Sequence, residues 1–210
     1  SKSRATSQRN TQPPVKPNTD ALVPLEAEAI AFFTERGISE ATLEACGVRQ
    51  QNDVWCPALK RTVPWAIAFP YYRNGEIINI KYRDPDKHFW QSKGAEKILY
   101  GLDDVTESDE IIFVEGEMDK LALFEAGFTN AVSVPDGAPI KAAEGDVPSP
   151  EQDVKYGYLW NCRDVIDRVI RVVLASDNDE PGRALSEELS RRMGRERCYR
   201  VRWPTTRHDS

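Results

Sequence analysis

The chain has 210 residues, of which 40% are hydrophobic and 30% charged, and its formal net charge is −6. Such a length can bury a sizeable core in one large domain or two small ones, and the acidic balance excludes a uniformly basic nucleic-acid binder. No apolar run approaches the roughly 18 residues that a membrane-spanning helix needs, so we expect no membrane segment.

The first segment, residues 1–24, is predicted to be a disordered leader or linker. It has no acid before Asp20 and is rich in Ser, Thr, Asn, Gln and Pro, a composition that cannot bury a core. Two origins fit it equally: the remnant of an organellar transit peptide, or a linker from an upstream domain.

Residues 25–103 are predicted to form a small α+β subdomain. The pattern indicates a helix from Leu25 to Arg36 and a second helix capped by Ser39 and ending near Cys46. Strands are predicted at 66–72, 76–84 and 89–91. The first two flank Asn74-Gly75, a pair typical of a tight hairpin.

Basic and aromatic residues concentrate in this subdomain. From Lys60 to Lys97 there are eight Lys or Arg against four acids, whereas from Ile98 to Val154 fourteen acids face two Lys. This asymmetry suggests phosphate contacts in one part and a metal in the other. The candidate nucleic-acid or nucleotide ligands are Lys81, Arg83, Lys87, Lys93 and Lys97. Each could instead be solvated surface, and Trp90 and Tyr82 could either stack on bases or pack in a core.

Residues 104–204 alternate between strand and helix patterns, which predicts a parallel α/β sheet. The predicted strands are 110–114, 131–134, 171–175 and 198–202, and the predicted helices are 118–126, 155–161 and 181–193. The loop 135–150 is too long to be only a connector, so we expect it to line or gate a site. Residues 205–210 are assigned to a tail.

Two acidic clusters follow two of the predicted strands. Glu115 and Asp119 come after the run Ile111 to Val114, and Asp177 and Asp179 come after the run Val172 to Ala175. Ligands of parallel sheets bind beyond the carboxyl ends of the strands. If these strands are neighbours, the four carboxylates converge, and their mutual repulsion favours a bound Mg²⁺ or Mn²⁺.

Each cluster also has a simpler interpretation. Asp179 could only cap a helix that begins near Pro181, and Glu115, Glu117 and Asp119 could only complement a helix dipole. The presence of two clusters in matching contexts favours the metal.

The clusters also carry a family resemblance. The Glu-Gly-x-x-Asp of residues 115–119 and the Asp-x-Asp of residues 177–179 resemble the TOPRIM domain of primases and topoisomerases. The segments KILYGLDDV, EGEMDKLAL, VSVPDGAP and ERCYRVRWP resemble the primase half of plant organellar Twinkle-type primase-helicases, relatives of the phage enzymes. The likeness extends from about Leu25 to Trp203.

The resemblance implies a TOPRIM Rossmann-like sheet preceded by a basic subdomain of RNA-polymerase type. It further implies a DNA primase that makes short RNA primers by Mg²⁺-dependent nucleotidyl transfer in organellar DNA replication. The expected catalytic residues are Glu115, Asp177 and Asp179, joined by Asp119 as a metal ligand. Whether Glu115 acts as ligand or base stays open. A metal-dependent TOPRIM nuclease and a non-catalytic single-stranded DNA-binding module are the alternatives.

The implied partners are a single-stranded DNA template and ribonucleoside triphosphates, with a replicative helicase or an organellar DNA polymerase as further candidates. The implied location is the mitochondrion, the chloroplast or both.

The sequence departs from the family pattern in three respects. It has no G-x-x-x-x-G-K-[ST] motif, so no helicase ATPase is expected. Its four cysteines contain no C-x-x-C pair and His88 lacks metal-binding spacing, so no zinc is expected and the thiols are predicted to be free. The sequence stops shortly after WPTT, which indicates either a truncated form or a natural primase-only form.

Overall fold

The structure is a computed structural model that describes residues 13–105 and 107–204. The described residues form a five-stranded antiparallel sheet followed by a four-stranded parallel sheet. This arrangement confirms the predicted α/β class, with an α+β unit before a parallel sheet. The predicted tail 205–210 and residues 1–12 of the predicted leader lie outside the described residues.

The antiparallel sheet is a meander in which consecutive strands pair. Its order is β1 (Leu22–Val23), β2 (Arg49–Cys56), β3 (Arg61–Arg73), β4 (Glu76–Arg83) and β5 (Phe89–Gln91), and the helices α1 (Ala27–Thr34) and α2 (Glu40–Ala45) lie between β1 and β2 in sequence. Folded structure therefore begins before residue 25, where the sequence pattern placed its start, because β1 pairs with β2.

Two local predictions in this unit are confirmed. Asn74 and Gly75 have φ values of 53° and 77°, and Arg73 pairs with Glu76 across them, which is a two-residue hairpin. The Ser39 hydroxyl accepts a hydrogen bond from the Thr42 N–H at 3.3 Å and so caps α2. Strand β2 and the first residues of β3 were not predicted, because RQQNDVWC contains residues that are depleted in strands and its pairing partner lies in β3.

The parallel sheet has the order β7, β6, β8, β9. Its elements are β6 (Glu110–Val114), α3 (Glu117–Glu125), β7 (Ala131–Ser133), α4 (Gly157–Asn161), α5 (Arg163–Ile166), β8 (Arg171–Leu174), α6 (Glu180–Met193) and β9 (Cys198–Arg200). A 3₁₀ turn at Leu102–Val105 precedes it and another at Arg195–Arg197 leads into β9. Each predicted strand of this unit is present, while the short helix α5 was not predicted.

The strand order places a topological switch point between β6 and β8. From β6 the chain moves to β7 on one side, crosses back to β8 on the other side, and continues outward to β9. Crevices at such points, beyond the carboxyl ends of the strands, are the usual ligand sites of open α/β sheets. The two acidic clusters follow these two strands.

One hydrophobic core joins the two sheets. Phe33 of α1 packs edge-on against Phe69 of β3, and Phe69 packs edge-on against Tyr100, with ring centroids 6.4 and 5.9 Å apart. The same cluster includes Phe113 and Leu174 of the parallel sheet. The division at residues 103 and 104 between two domains stays a prediction.

The loop after β7 is held against α6 by buried charges. The Arg192 guanidinium donates to Asp153 at 2.6 Å and also pairs with Glu188, and all three side chains are at most 4% exposed. The N–H of Ala143 donates to Glu188 at 2.5 Å. The later part of the loop is thus fixed to the helix that follows Asp179.

The cysteines agree with a further expectation from the sequence. Cys46, Cys56, Cys162 and Cys198 are all free thiols. In the part of the chain that the structure describes, no helix has the length and apolar character to cross a bilayer.

Candidate active site

The ends of β6 and β8 bring the two acidic clusters together. Glu115 directly follows β6, and its Oε1 accepts a hydrogen bond from the N–H of Asp177 at 2.9 Å. Strands β6 and β8 pair in parallel, with Phe113 opposite Leu174, so residues just beyond them leave the sheet at the same edge. The expected convergence of Glu115 with Asp177 is therefore present.

Asp179 serves as a helix cap, as the simpler interpretation held, and Asp119 also hydrogen-bonds to the backbone at the start of its helix. The Asp119 carboxylate accepts from the N–H of Gly116 at 3.0 Å, and the Asp179 carboxylate accepts from the N–H of Gly182 at 2.8 Å. Each of these hydrogen bonds involves one oxygen of the carboxylate, and the carboxylate can accept further bonds. Capping thus orients these side chains and is compatible with metal ligation.

The acids of this site interact electrostatically. Burial raises the pKa of Glu115 above its usual value, and the neighbouring charges of Asp177, Asp179 and Asp119 raise it further. The hydrogen bond from the Asp177 N–H has the opposite effect and lowers this pKa. Burial also raises the pKa of Asp119, to which the charges of Asp177 and Glu117 add. A cation beside these groups would relieve the repulsion.

The acidic set is open. Within residues 13–105 and 107–204, no three of these acids bring their carboxylate oxygens within 4.8 Å of one another. A tight all-protein cage does not fit this arrangement. An ion that takes one or two carboxylates and keeps water or phosphate oxygens as its other ligands does fit, and this is the usual coordination of Mg²⁺.

A groove of about 670 Å³ joins the acids to the antiparallel sheet. Glu115, Asp119 and Asp177 line one part of it, and Lys81, Trp90 and Lys97 line another. Pro135 and Asp136, the first residues of the long loop, also line it. The acidic cluster and part of the basic subdomain thus face the same space.

Two of the predicted basic residues reach this groove, and both are paired there. Lys81 Nζ lies 2.9 Å from Glu117 Oε1, and Tyr71 donates its hydroxyl to the same oxygen at 2.5 Å. Lys97 Nζ lies 2.6 Å from the Asp136 carboxylate.

Sequence reasoning missed these partners. Glu117 stood out only as a helix-dipole residue, and Asp136 only as part of the VSVPDGAP resemblance. The motifs themselves draw attention to both acids, but their cationic partners become apparent only when the two sheets are placed together.

The other predicted basic residues lie outside the groove lining. Arg83 is buried, and its guanidinium packs over the ring of Phe32 at 4.3 Å. Lys87 lies in the exposed turn between β4 and β5, and Lys93 is exposed after β5.

The two aromatic candidates pack against each other. Trp90 stacks on Tyr82, with ring centroids 5.4 Å apart and planes inclined by 16°. Tyr82 is a core residue, whereas Trp90 is partly exposed and lines the groove. The core interpretation therefore applies to Tyr82, and Trp90 has a surface that a base could stack on.

Gly182 permits the close approach of α6 to the acids. A Cβ at this position would overlap the Asp177 backbone and lie 2.6 Å from Glu115 Oε1. We expect Gly182→Ala to lower the free energy of unfolding by about 1–3 kcal/mol through overpacking and to accelerate hydrogen exchange at the Asp177 amide. Denaturant unfolding and amide exchange measure these effects.

The exposed neighbour Arg183 provides the control for that substitution. Arg183→Ala removes only an exposed hydrogen bond to the Asn178 carbonyl, so it should change the free energy of unfolding by less than about 1 kcal/mol. Equal stability of the wild type and Gly182→Ala would contradict the packing argument.

Comparison with known families identifies the second half of the chain. Residues 109–202 match the family described as Toprim domain. The parallel sheet with its acidic edge is therefore the part of the chain that matches the Toprim family.

The chain as a whole is similar to two proteins of Arabidopsis thaliana. It is 46% identical over 188 residues to the Twinkle homolog protein, chloroplastic/mitochondrial, and 47% identical over 188 residues to the Primase homolog protein. Each match covers 90% of this chain, but only 25% of the first relative and 53% of the second. The resemblance to the primase half of Twinkle-type primase-helicases is confirmed.

Solved structures share the fold. The primase fragment of the bacteriophage T7 primase-helicase superposes with a TM-score of 0.61 at 21% identity, covering 91% of this chain and 74% of that one. The E. coli primase catalytic core gives a TM-score of 0.58 at 18% identity, with 84% and 65% of the chains covered. These chains share the overall fold of this one.

Proposed function

We propose that the chain is a DNA primase core that synthesises short RNA primers on single-stranded DNA. The observation that carries the proposal is the groove, in which Glu115, Asp119 and Asp177 face Lys81 and Lys97. Similarity to a protein named as a primase homolog supports it. Primer synthesis joins a ribonucleotide 3′-hydroxyl to the α-phosphate of an incoming triphosphate and releases pyrophosphate. It therefore needs carboxylates that bind a metal ion and basic side chains that contact phosphate groups.

Mg²⁺ is the proposed cofactor, and Glu115, Asp119, Asp177 and Asp179 are the residues that would hold it. When bound, the ion supplies neutralisation of phosphate charge and lowers the pKa of the attacking hydroxyl. The hydrogen bond from the Asp177 N–H fixes the Glu115 side chain, and the N–H of Gly182 fixes that of Asp179. The site is thus oriented before any substrate enters.

The opposite wall of the groove is proposed to hold the substrates. Lys97 is half-exposed and its pairing with Asp136 is of the exposed kind that contributes little energy, so a phosphate can compete for it. Trp90 offers a stacking face for a base. Arg83, Lys87 and Lys93 are outside this wall, and Lys87 and Lys93 are proposed to contact template phosphates further along.

The relatives guide the proposed partners and location. One relative is named as chloroplastic/mitochondrial, and we propose that this chain acts in one or both organelles. A primase structure has been solved with a lagging-strand DNA polymerase and an RNA/DNA hybrid. An organellar DNA polymerase or a separate replicative helicase is the corresponding proposed partner.

A primer-synthesis assay tests the proposal. The chain is incubated with single-stranded DNA, labelled ribonucleotides and Mg²⁺ or Mn²⁺, and the products are resolved on a sequencing gel. Short RNA ladders that depend on template and metal are expected. Shortened DNA would point to a Toprim nuclease, and salt-sensitive DNA binding with neither product would point to a non-catalytic module.

The raised pKa values of Glu115 and Asp119 predict a pH dependence of metal stabilisation. In the metal-free chain these groups bind protons more tightly when folded than when unfolded, so their contribution to stability rises as the pH falls through the raised values. Mg²⁺ binds the charged forms. The increase in melting temperature caused by Mg²⁺ should therefore be largest near neutral pH and shrink as the pH is lowered.

Thermal unfolding with and without Mg²⁺, from neutral to acidic pH, measures the effect. The exposed acid Asp164 of α5 gives the control, because Asp164→Asn should leave the pH profile unchanged. An Mg²⁺ shift that grows toward acid pH would contradict the assignment of these carboxylates.

A further inference from the structure

A second group of metal-ligating side chains lies in the antiparallel sheet, away from the acidic edge of the Toprim domain. Ligand atoms of Cys56, Asp84 and His88 all lie within 4.8 Å of one another. Cys56 is fully buried, Asp84 is 1% exposed, and the His88 side chain is 32% exposed. The group thus combines two buried anionic ligand types with an imidazole that reaches the surface.

The backbone fixes two of these residues in a tight turn. The Asp84 N–H donates to the His88 carbonyl at 3.2 Å, and the His88 N–H donates to Asp84 Oδ1 at 2.8 Å. The second carboxylate oxygen of Asp84 lies 2.9 Å from His88 Nδ1. Cys56 reaches the same place from the last residue of β2, so the ligands come from two separate hairpins of the sheet.

These distances are close to those of a metal site. With metal–ligand distances of about 2.0–2.3 Å, the ligand atoms of a tetrahedral zinc ion lie roughly 3–4 Å apart. Asp84 Oδ2 and His88 Nδ1, at 2.9 Å, are slightly closer than this, and the three ligand atoms all lie within 4.8 Å of one another. Small side-chain adjustments would bring them to these separations.

The ligand chemistry selects the ion. Thiolate and imidazole favour zinc over the hard cations Mg²⁺ and Ca²⁺. A thiolate and a carboxylate together carry the charge that neutralises Zn²⁺, so the buried assembly is neutral overall. Water can occupy the fourth position on the exposed side of His88.

We propose that Cys56, Asp84 and His88 bind a Zn²⁺ ion that keeps water as its fourth ligand. The bound ion links the β2–β3 hairpin to the turn between β4 and β5. His88 immediately precedes Phe89, which lines the groove, so the site fixes the start of the strand that carries Phe89 and Trp90. Sequence spacing did not reveal it, because Cys56 lies 28 residues before Asp84 and only the folded sheet brings them together.

Titration of the metal-free, reduced chain with Co²⁺ tests the proposal, with excess Mg²⁺ present to occupy the acidic edge. A cobalt–thiolate bond gives a near-ultraviolet charge-transfer band, and we expect this band at one equivalent, with Zn²⁺ abolishing it. Cys56→Ser should lose the band, and His88→Gln should weaken Co²⁺ binding at least about tenfold. Zinc should also remain with the wild-type chain at a one-to-one ratio after dialysis.

Cys198→Ser is the matched control, because Cys198 is a partly exposed thiol on β9 in the other sheet. It should bind Co²⁺ like the wild type. Circular dichroism checks the fold of each variant, and if Cys56→Ser fails to fold, the surface variant His88→Gln decides. Absence of the band in the wild type, its persistence in a folded Cys56→Ser, unweakened binding by His88→Gln, or its loss in a folded Cys198→Ser would overturn the proposal.

Discussion

Asp177→Ala should reduce primer synthesis at least about a hundredfold while leaving the fold intact. Asp177 follows β8 at the topological switch point and lines the groove, and metal ligation of this kind supplies several kcal/mol of transition-state stabilisation. Its side chain is exposed, so its removal leaves no buried cavity. The backbone N–H that positions Glu115 is retained in the variant.

The readouts for this variant separate catalysis from folding. Primer synthesis is measured on single-stranded DNA, and metal binding is measured as the increase in melting temperature that Mg²⁺ produces. Asp177→Ala should lose both effects. Its metal-free form should be at least as stable as the wild type, because the substitution removes a charge that repels Glu115 and Asp119.

Asp164→Asn gives the matched comparison, since this acid lies exposed on α5. It should synthesise primers at the wild-type rate. Retention of more than about a tenth of the activity by Asp177→Ala, a loss of less than about 1.4 kcal/mol, would refute the role proposed for Asp177.

The Toprim half could be predicted well because its signals are local. Strands β6 and β8 are short, mainly apolar runs, and Glu115 and Asp177 follow them within three residues. Parallel strands that end at the same edge bring such residues together whatever the rest of the fold does. Only the strand order, which makes β6 and β8 neighbours, had to be assumed.

The antiparallel half was harder to predict because its contacts depend on pairing between distant residues. Strand β2, which pairs with β3, contains the polar residues Gln50 and Asn52, whose side chains are hydrogen-bonded to each other. A polar strand of this kind has no clear alternation of apolar and polar residues. The cluster of Cys56, Asp84 and His88 was missed for the same reason.

The sequence also did not reveal the acidic partners of the basic residues. Lys81 appeared as a free phosphate ligand, whereas the structure pairs it with Glu117. Lys81 lies in strand β4 and Glu117 in helix α3, far apart in the sequence, so no local pattern relates them. An experiment that asks whether Lys81 also contacts a substrate has to separate its contribution to stability from its contribution to substrate binding.

Lys81→Met should destabilise the protein by about 3–5 kcal/mol, because it leaves Glu117 buried without its cation. The Lys81 side chain is 11% exposed and that of Glu117 is 4% exposed. In Lys81→Met/Glu117→Gln the buried charge is gone, and the amide oxygen still accepts the Tyr71 hydroxyl bond that Glu117 accepts. The double variant should therefore recover most of the lost stability.

The ion pair of Lys16 and Glu76 is the matched control, since its atoms are 3.0 Å apart but its side chains are 76% and 65% exposed. Lys16→Met and its double variant with Glu76→Gln should each differ from the wild type by less than about 1 kcal/mol. Denaturant unfolding of both cycles gives the coupling energies. Equal coupling for the two pairs would refute the claim that the buried pair of Lys81 and Glu117 contributes more to stability than an exposed pair.

The same double variant tests the chemical role of Lys81. If its ammonium also contacts the triphosphate, Lys81→Met/Glu117→Gln will be nearly as stable as the wild type but will show a raised KM for ribonucleotides. If Lys81 only balances Glu117, stability and KM will recover together. We expect the first result, because Lys81 lines the groove beside the acids that would hold the metal, and the proposed reaction places the triphosphate next to that metal.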